Sequence, residues 1–538
     1  MGDLLSKLVV FAKRRRTGAV ALATSFLVSL TCGCKPRSEG SAVLAAGGVV
    51  DDCAKYANVT GASGGGPAVL SDAVVRGAIK DALYYLYDCQ QKADRTSGGL
   101  RLKGEWPSYV RGSILTDQQL TAIYDSNAFV PMFVIYPMFW LDDAGLPQRP
   151  VRTMQNAVLD LLNKEYVAKA GSGWDPAVPG EINFWPTYEG FHGPQQIAET
   201  IPLARLLAPV FNIANDADDT AVYHITAQKM AQIPGMDADP IKDLRPLFER
   251  SYAVDSGRVR ADEREKAWKP GETGAFLTWL SDENKPYNKQ PISFMLANNV
   301  DCIVVANVLY ALGLNQAKSG AGYEHSCALA RQAVAEHLYP KCAFYYPPQW
   351  LFPYVVSRAF RDGGNDCLND DITTTDGRKG PAMEILAKDI VAAQNKADGS
   401  WDDMGTFERI PEDMNARNPA FRGDPRSYST ALNVVTLLNV GATHSSDEAL
   451  QKGAEDAVRK GVTYLLGSSL AAGEGRIWQG GVFFSSSYQQ IARWKSRPYT
   501  TAMAMEAFVK YLLDYGNLSK TTARLKLDAS LAPADWLN

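Results

Sequence analysis

The segment from Asp216 to Ala221 reads Asp-Ala-Asp-Asp-Thr-Ala and brings three carboxyl groups close together in the chain. Carboxylates a few ångströms apart cannot all ionise cheaply, so one of Asp216, Asp218 and Asp219 should stay protonated near neutral pH and could act as an acid. Aspartate and threonine also cap helices by accepting hydrogen bonds from free backbone N–H groups, and aspartate binds cations. The cluster therefore predicts either an acid site or a helix cap.

A second segment, residues 183–193, places Trp185 and Tyr188 beside Glu189 and His192. This is the composition of a sugar-binding subsite or of an acid/base pair. The segment therefore predicts a possible glycan site.

Asp301 opens an apolar stretch, and a helix starting there would direct its carboxyl group toward a central cavity. His224 follows Asp219 on the same predicted helix, and a histidine in such a place is more often part of the core than a catalytic partner. Asp301 is therefore a candidate site residue, and His224 is expected to be structural.

The elements that position these residues are helices of two kinds, which alternate beyond Ser71. Patterns with one polar face suit an outer ring and are found at 72–91, 151–165, 194–208, 323–338, 381–394 and 447–466. Patterns that are apolar nearly all round suit a buried inner ring and are found at 124–138, 219–230, 299–312, 353–360, 428–438 and 499–512. Six of each predict an all-α fold, an (α/α)6 toroid, with an irregular helical bundle or solenoid as the alternative.

A turn signature recurs after the predicted outer helices. The segment from Gln394 to Trp401 ends in Gly-Ser-Trp, and similar turns end at Trp106 and Trp478. Glycine permits a tight exit from a helix, the indole can cap that helix, and glutamine can satisfy nearby backbone groups. These turns are expected to brace helices.

The Gln394 to Trp401 segment resembles the QW motif of the squalene-hopene cyclase and prenyltransferase superfamily. The Asp-x-Asp-Asp-Thr-Ala string resembles the acid motif of class II terpene cyclases. This resemblance implies a toroid in which Asp218 protonates an alkene to start cationic ring closure, with Asp216 and Asp219 as tuning neighbours and no cofactor. A zinc-dependent prenyltransferase of the superfamily would use an Asp-x-Cys pair and a histidine, whereas Asp301 and Cys302 are adjacent, so no metal is predicted.

Cationic ring closure needs a cavity lined with aromatic faces, whose quadrupoles stabilise carbocations without trapping them. Aromatic residues beside the starts of predicted inner helices are the candidates for that lining. The residues predicted to bind substrate are Trp185, Tyr188, Trp350, Phe352, Trp478 and Phe483, with Asp301, and Tyr354, Phe484, Trp494 and Tyr499 are further candidates.

The N-terminus carries basic residues up to Arg16, then an uncharged apolar stretch over 17–31 with Cys32 and Cys34 directly after it. This predicts a bacterial secretory signal, since the stretch is shorter than the roughly 20 residues that span a bilayer. The cysteines resemble the acylation site of bacterial lipoproteins. We expect export to the bacterial cell envelope, with a lipid anchor at Cys32 or Cys34 and the body facing the periplasm. Ordinary secretion and a retained N-terminal anchor are the alternatives.

Six cysteines follow the predicted signal: Cys53, Cys89, Cys302, Cys327, Cys342 and Cys367. An even set after an export signal predicts disulfides formed in an oxidising compartment. The alternative is six buried free thiols.

The composition limits the function classes. A net charge of -4 over 538 residues excludes a strongly basic nucleic-acid binder, and 46% hydrophobic residues can form a large core. The chain shows no Gly-rich phosphate loop, serine-esterase elbow or His-Glu-x-x-His motif. We divide it into a signal at 1–33, a flexible Gly/Ala/Ser-rich tether at 34–70, a toroid at 71–515 and a C-terminal extension at 516–538.

Three functions remain. The first is a proton-initiated cyclase acting on a small hydrophobic isoprenoid. The second is an exported glycan hydrolase or lyase with Glu189, Asp301 or Asp218 as acid and base. The third is a non-catalytic lipoprotein that binds a lipid or a partner. A closed apolar environment of Asp218 would favour the first, an open groove with paired carboxylates the second, and a solvent-exposed Asp218 the third.

Overall fold

A computed structural model describes most of the predicted toroid. The described residues are 53, 70–95, 101–112, 123–141, 149–167, 179–188, 191–192, 215–249, 273–280, 299–339, 341–343, 345–402, 426–472, 475–479, 481–485 and 492–515. The predicted signal, the C-terminal extension, the predicted helix 194–208 and nearly all of the tether lie outside them. None of the described helices is long and apolar enough to cross a bilayer.

Within these residues the chain is mostly helical. The α-helices are α1 Asp72–Cys89, α2 Phe129–Ile135, α3 Arg149–Leu161, α4 Ala217–Ala231, α5 Arg245–Phe248, α6 Cys302–Leu314, α7 Ala321–Ala335, α8 Leu351–Arg361, α9 Ala382–Ala393, α10 Arg426–Asn439, α11 Glu448–Ser468 and α12 Arg497–Tyr515. Short 3-10 helices cover Tyr136–Trp140, Asp366–Asn369 and Ala442–His444, and a π-helical turn covers Leu162–Tyr166.

The even-numbered helices form a closed inner ring. Helix α2 contacts α4, and contacts continue from α4 to α6, α8, α10 and α12, which returns to α2. These helices are buried on nearly every side, as α10 illustrates, since every residue from Ser427 to Asn439 is buried. A closed ring of helices without a polar face is the arrangement that an all-α toroid requires, because another helix covers each side.

The odd-numbered helices lie outside this ring. Helix α1 packs on α12, α3 on α2, α7 on α6, and α9 and α11 on α10. The short α5 lies between α4 and α6 in the chain, where the alternation calls for an outer helix. Its Leu247 and Phe248 are buried. The sequence analysis missed α5 because four residues cannot show an amphipathic period. The strict alternation in the described helices differs from the predicted order, which had two outer and then two inner helices in succession.

The predicted inner helix 124–138 begins later than expected. Residues Ile123–Tyr124 form a strand, and α2 starts at Phe129 with the Asn127 side chain accepting a hydrogen bond of 3.0 Å from the Val130 amide. Pro137 lies in the 3-10 segment that continues α2. Proline lacks the N–H that an α-helical hydrogen bond needs, so the tighter helix there is expected.

Short strands supplement the helices of this all-α fold. They are β1 Tyr109–Gly112, β2 Ile123–Tyr124, β3 Thr187–Tyr188, β4 Phe191–His192, β5 Asp371–Thr373, β6 Lys379–Pro381, β7 Leu470–Ala472, β8 Gly475–Ile477, β9 Phe484–Ser485 and β10 Ala492–Lys495. The largest sheet has the order β2-β1-β10-β9, and β1 pairs antiparallel with β10 from Tyr109 opposite Lys495 to Gly112 opposite Ala492. This sheet joins the segment after α1 to the segment before α12, so it links the first and last parts of the ring.

Three buried tryptophans hold the ends of outer helices. The indole N–H groups of Trp106, Trp401 and Trp478 donate to the carbonyl oxygens of Leu86, Ile390 and Leu465, at 2.7, 2.8 and 2.7 Å. Each acceptor lies near the C-terminus of the preceding outer helix, where carbonyl groups lack helical partners. Trp478, predicted to bind substrate, is therefore committed to this contact and to the Phe508 ring at 5.5 Å.

Two glutamines join the same turns to a neighbouring outer helix. The Gln394 amide donates to the carbonyls of Gly399 and Ala457, at 2.9 and 2.8 Å, and Gln90 makes the equivalent pair of contacts after α1. Gly399 has φ +80°, and an added Cβ would lie 2.7 Å from the Lys460 carbonyl oxygen. The close approach of the two backbones explains why glycine stands there.

The six cysteines after the predicted signal form three disulfides: Cys53–Cys89, Cys302–Cys342 and Cys327–Cys367. The second joins the start of α6 to the segment before α8. The alternative of six free thiols is therefore not observed.

Candidate active site

Asp218 lies in the first turn of α4 and is 3% exposed. The Asn307 amide of α6 donates to its Oδ1 at 2.7 Å, and the Tyr346 hydroxyl donates to its Oδ2. Both partners are themselves buried and come from the neighbouring inner helix and the segment before α8. Each oxygen of Asp218 thus has one neutral donor and no cationic partner.

Asp216 and Asp219 have different roles in the same turn. Asp216 is the N-cap of α4, with an extended backbone and a side chain that accepts a 2.7 Å hydrogen bond from the Asp219 amide. The Thr220 hydroxyl accepts a 3.0 Å hydrogen bond from the Ile182 amide and holds the turn against the preceding segment. The second oxygen of Asp216 and Oδ1 of Asp219 are buried without a hydrogen-bond partner. The cluster therefore contains a helix cap, and Asp218 does not supply it.

Burial raises the pKa of all three carboxyl groups. The pKa of Asp218 rises to about 6, held down by the hydrogen bonds from Tyr346 and Asn307. The pKa of Asp216 rises to about 8 because of burial and the neighbouring Asp218, and burial raises that of Asp219 well above its usual value. Asp218 is thus a stronger acid than Asp216, because only its carboxylate has neutral donors on both oxygens.

Asp301 contributes to this site through the backbone. Its Oδ1 accepts a hydrogen bond of 2.8 Å from the Ile303 amide as the N-cap of α6, and its Oδ2 accepts one of 3.1 Å from the Tyr345 amide. The Asp301 carboxylate, which was predicted to point into a central cavity, thus holds the segment that contains Tyr346 through the Tyr345 amide. We infer a positioning role, because both oxygens are occupied by backbone donors.

An aromatic layer borders the Tyr346 side of Asp218. The Phe129 ring lies 5.9 Å from that of Tyr346, stacks on Phe133 at 4.3 Å and stacks on Phe483 at 5.6 Å. Phe483 in turn lies 4.7 Å from Tyr499. The structure therefore brings the predicted residue Phe483 and the candidate Tyr499 together with three aromatics that the sequence analysis did not select.

A second buried carboxyl group, Asp125, precedes α2. The indole N–H groups of Trp185 and Trp494 donate to its two oxygens at 3.0 and 2.7 Å. Burial raises its pKa to about 7 despite these donors. Sequence analysis missed Asp125 because the predicted helix included it, although an Asp-Ser-Asn run ahead of an apolar helix is a start signal. Trp185 thus lies beside Asp125, with its ring 5.3 Å from Phe184.

Trp350 and Phe352 lie on another side of α8. The Trp350 indole donates to the Asp402 carbonyl at 2.7 Å, and both rings lie 6.4 Å from Tyr339, which follows the outer helix α7. With 3.6 residues per turn, Phe352 is about half a turn from Tyr354, whose hydroxyl reaches Glu506 of α12. The contacts of both rings are thus with the outer layer, and their role in substrate binding stays a prediction.

The remaining residues considered from the sequence are His224 and those of the short hairpin β3–β4. His224 donates from Nε2 to the Gly180 carbonyl at 2.9 Å, and burial lowers its pKa to about 4, so it is neutral near pH 7. The backbones of Tyr188 and His192 lie in β3 and β4. Their side chains and Glu189 lie outside the described residues.

No protein-family model and no curated protein matches this chain. The solved structures that resemble it include two of one cyclase. The type II terpene cyclase MstE from Scytonema, in its apo form, is 12% identical with a TM-score of 0.39, and the match covers 83% of this chain and 99% of that one. A variant of the same Scytonema cyclase in complex with the product merosterolic acid A is 13% identical with a TM-score of 0.40, covering 82% and 98%. The chemistry of Asp218 is therefore derived from this chain's own residues.

Proposed function

We propose that the protein is a proton-initiated, class II terpene cyclase-like enzyme with Asp218 as its general acid and a small hydrophobic isoprenoid as its substrate. The observation that carries this proposal is the environment of Asp218. Its carboxyl group is buried, has only neutral hydrogen-bond donors and lies beside an aromatic layer. A dry acid beside aromatic faces fits the protonation of an alkene better than it fits chemistry in water.

In the first step, the π electrons of the alkene form a C–H bond with the Asp218 proton, and the O–H electrons remain on the carboxylate. The cation forms on the other alkene carbon. Asn307 and Tyr346 donate to the carboxylate that results, so they stabilise the transition state as the negative charge develops. Preorganised donors of this kind make the acid stronger without supplying a counter-cation near the substrate.

Asp216 and Asp219 tune this acid. With raised pKa values they remain largely protonated near neutral pH. Neutral neighbours spare Asp218 the repulsion that would hold its proton more tightly. We assign them the role of keeping Asp218 acidic, with Asp216 also holding the helix start.

The aromatic layer would stabilise the cation after protonation. The faces of Phe129, Phe133 and Phe483 offer negative quadrupoles and no nucleophilic atom. The hydroxyl of Tyr499 is hydrogen-bonded to that of Tyr428 at 2.9 Å, and the hydroxyl of Tyr346 is bonded to Asp218. Both nearby phenols are thus engaged elsewhere.

The other two functions have less support. A glycan hydrolase would need two carboxyl groups across an open groove, whereas Asp301 is occupied by backbone donors and Asp218 is buried. A solvent-exposed Asp218 would have favoured a lipoprotein that only binds a lipid or a partner. Its burial favours the cyclase instead.

We also propose that the chain acts outside the cytoplasm, tethered to the cell envelope by a lipid at Cys32 or Cys34. The three disulfides support an oxidising compartment, since such bonds are rare where thiols are kept reduced. Labelling with a palmitate analogue, compared between the chain and its Cys32→Ser and Cys34→Ser variants, tests the anchor. Labelling of both single variants and of the double variant would contradict it.

The cyclase proposal is tested with polyprenyl substrates in heavy water. Incubation with geranylgeraniol, geranylgeranoic acid or squalene should give cyclic products that carry one deuterium from Asp218. We expect Asp218→Asn to lower turnover by about 1,000-fold or more, because an amide has no acidic proton to give. Asp456→Asn on the exposed face of α11 is the matched control and should keep full activity. Full activity of a folded Asp218→Asn variant would eliminate the proposal.

A further inference from the structure

Arg358 on α8 carries a fully buried charge that has no hydrogen bond to Asp218 and transfers no proton in the proposed reaction. It is 0% exposed, and Nε, Nη1 and Nη2 all lack a hydrogen-bond partner. An arginine stays charged at any pH at which proteins fold, so it cannot relieve burial by losing a proton. Unmade hydrogen bonds of a buried charged group are costly, which makes this position unusual for a purely structural residue.

Aromatic rings surround the guanidinium group without satisfying it. Its central carbon lies 3.7 Å from the ring centre of Tyr136, 5.0 Å from Phe133, 5.1 Å from Tyr354 and 5.3 Å from Tyr310. Cation–π contacts use the faces of the planar group and leave its N–H edge available. The rings hold the guanidinium in place while its five donors remain free for a ligand.

The neighbouring carboxyl groups do not bond the guanidinium, although the Arg358 charge offsets part of the rise that burial causes in the pKa of Glu506, whose Oε1 is also buried without a hydrogen-bond partner. Glu506 Oε2 accepts a 2.7 Å hydrogen bond from the Tyr354 hydroxyl. Asp362 pairs with Lys510 at 3.1 Å and accepts a hydrogen bond of 3.1 Å from Tyr136. Among the described residues, no carboxylate oxygen accepts a hydrogen bond from Arg358. The interior therefore offers a fixed positive charge without an acceptor.

A continuous aromatic path connects Arg358 to Asp218. Phe133 touches the guanidinium, Phe129 stacks on Phe133, and Phe129 lies beside Tyr346, which donates to Asp218. On α6, Asn307 bonds Asp218 and Tyr310 borders Arg358, and these two residues are about one helical turn, or ~4.5 Å of rise, apart. A chain of contacting aromatic rings thus connects the two buried sites.

We propose that Arg358 binds the anionic head group, a carboxylate or a phosphate, of an isoprenoid whose chain lies along Phe133 and Phe129 toward Asp218. Both head groups present two oxygens in the spacing that a guanidinium edge matches with paired hydrogen bonds. The identity of the chain rests on the proposed cyclase function, whereas the recognition of an anion rests on the contacts of Arg358 itself.

The test compares three probes of equal chain length: geranylgeranoic acid, geranylgeranyl phosphate and geranylgeraniol. Isothermal titration calorimetry should show that the protein binds one or both anionic probes at least about tenfold more tightly than the alcohol. The comparison of the acid with the phosphate then identifies the head group. Arg358→Met should abolish this preference and leave the affinity for the alcohol within about threefold, because methionine retains the apolar volume. Arg358→Lys should keep part of the preference. Arg361→Met, at the exposed end of the same helix, is the control and should keep all of it.

Equal affinity of the wild-type protein for the alcohol and both anions would overturn the proposal, and so would an unchanged preference in Arg358→Met. If Arg358→Met does not fold, the wild-type comparison and Arg358→Lys still decide. Asp218→Asn separates this proposal from the cyclase function, since that variant should lose turnover and retain the preference for anions. A fully active Asp218→Asn variant with that preference would remove the cyclase proposal and leave the anion site standing.

Discussion

The two ends of the aromatic path bury charge in opposite ways. At Asp218, both carboxylate oxygens have neutral donors and the group can take up a proton when its charge becomes costly. At Arg358, the charge is permanent and none of the guanidinium nitrogens has a partner. A buried carboxyl group can become neutral by taking up a proton. A buried guanidinium keeps its charge and requires a partner, which here would be a ligand. The difference assigns proton transfer to the first end and ligand recognition to the second.

The hydrogen bond from Tyr346 makes Asp218 a stronger acid, so its removal should have the largest effect among variants that keep the carboxyl group. We expect Tyr346→Phe to lower turnover about 10- to 100-fold, because the conjugate base loses a donor that lowers its pKa. In a pH–rate profile, turnover should fall as pH rises through about 6 in the wild-type protein, since Asp218 must be protonated. In the variant this limb should move to higher pH.

Tyr223→Phe provides the control for this experiment, because it removes a hydroxyl on the same helix that bonds Asn163 and not Asp218. Its profile should overlay that of the wild-type protein. A Tyr346→Phe limb that stays in place, or moves to lower pH, would show that Asp218 is not the acid whose titration limits turnover.

Buried carboxyl groups also predict how stability depends on pH. The pKa of Asp125 is raised by burial from 3.8 to about 7, so the folded protein holds this proton more tightly than the unfolded chain. The resulting stabilisation is complete below about pH 4 and is lost as pH rises toward about 7. Asp216 and Glu506, with pKa values of about 8 and about 7, act in the same direction.

We therefore expect the free energy of unfolding to be higher at pH 5 than at pH 8, with about 1–3 kcal/mol of the difference due to Asp125, measured by urea denaturation with the disulfides intact. Asp125→Asn should reduce this slope, because the amide does not titrate. It should also lower stability at every pH, since one indole N–H loses its acceptor. A slope that is the same in both proteins would show that Asp125 is ionised in the fold.

Arg358 also connects the two ends electrostatically, since its charge lowers the pKa of Asp218. With the neutral substrate geranylgeraniol, Arg358→Met should move the pH–rate limb upward by up to about one pH unit, less than a lost hydrogen bond would. Arg361→Met is again the control and should leave the limb in place. A downward shift in Arg358→Met would mean that the guanidinium does not act on Asp218 as a positive charge.

The sequence analysis anticipated the Asp218 end far better than the Arg358 end, for physical reasons. Three aspartates in one turn are visible as a local pattern, and all-round apolar helices predicted an inner ring. Asn307 and Tyr346, however, lie 89 and 128 residues from Asp218, so only the closed ring brings them together. Arg358 shows no local sign of its burial, because an arginine near the end of a helix usually reaches solvent.

Helix phase separates the aromatic candidates that lie near Asp218 from those that contact the outer layer. Trp350 and Phe352 were chosen for their position at a helix start, but Tyr354 and Arg358, four residues apart, define the inward face of α8. Trp478 belongs to a turn that caps α11, as its similarity to the turn at Trp401 predicts. These candidates were chosen by residue type. The position of a residue around the helix axis, however, decides what its side chain contacts.

The smallest expected effect concerns the stability of Arg358→Met itself. Replacing a buried, unpartnered charge with an apolar side chain removes the cost of its unmade hydrogen bonds and also its cation–π contacts with Tyr136 and its neighbours. These terms oppose each other, so we expect the free energy of unfolding without ligand to change by less than about 1 kcal/mol. Geranylgeranoic acid or geranylgeranyl phosphate, whichever binds, should then raise the melting temperature of the wild-type protein more than that of the variant at the same concentration. If Arg358→Met instead lowers the free energy of unfolding by several kcal/mol without ligand, Arg358 is a structural residue that stabilises the ligand-free fold.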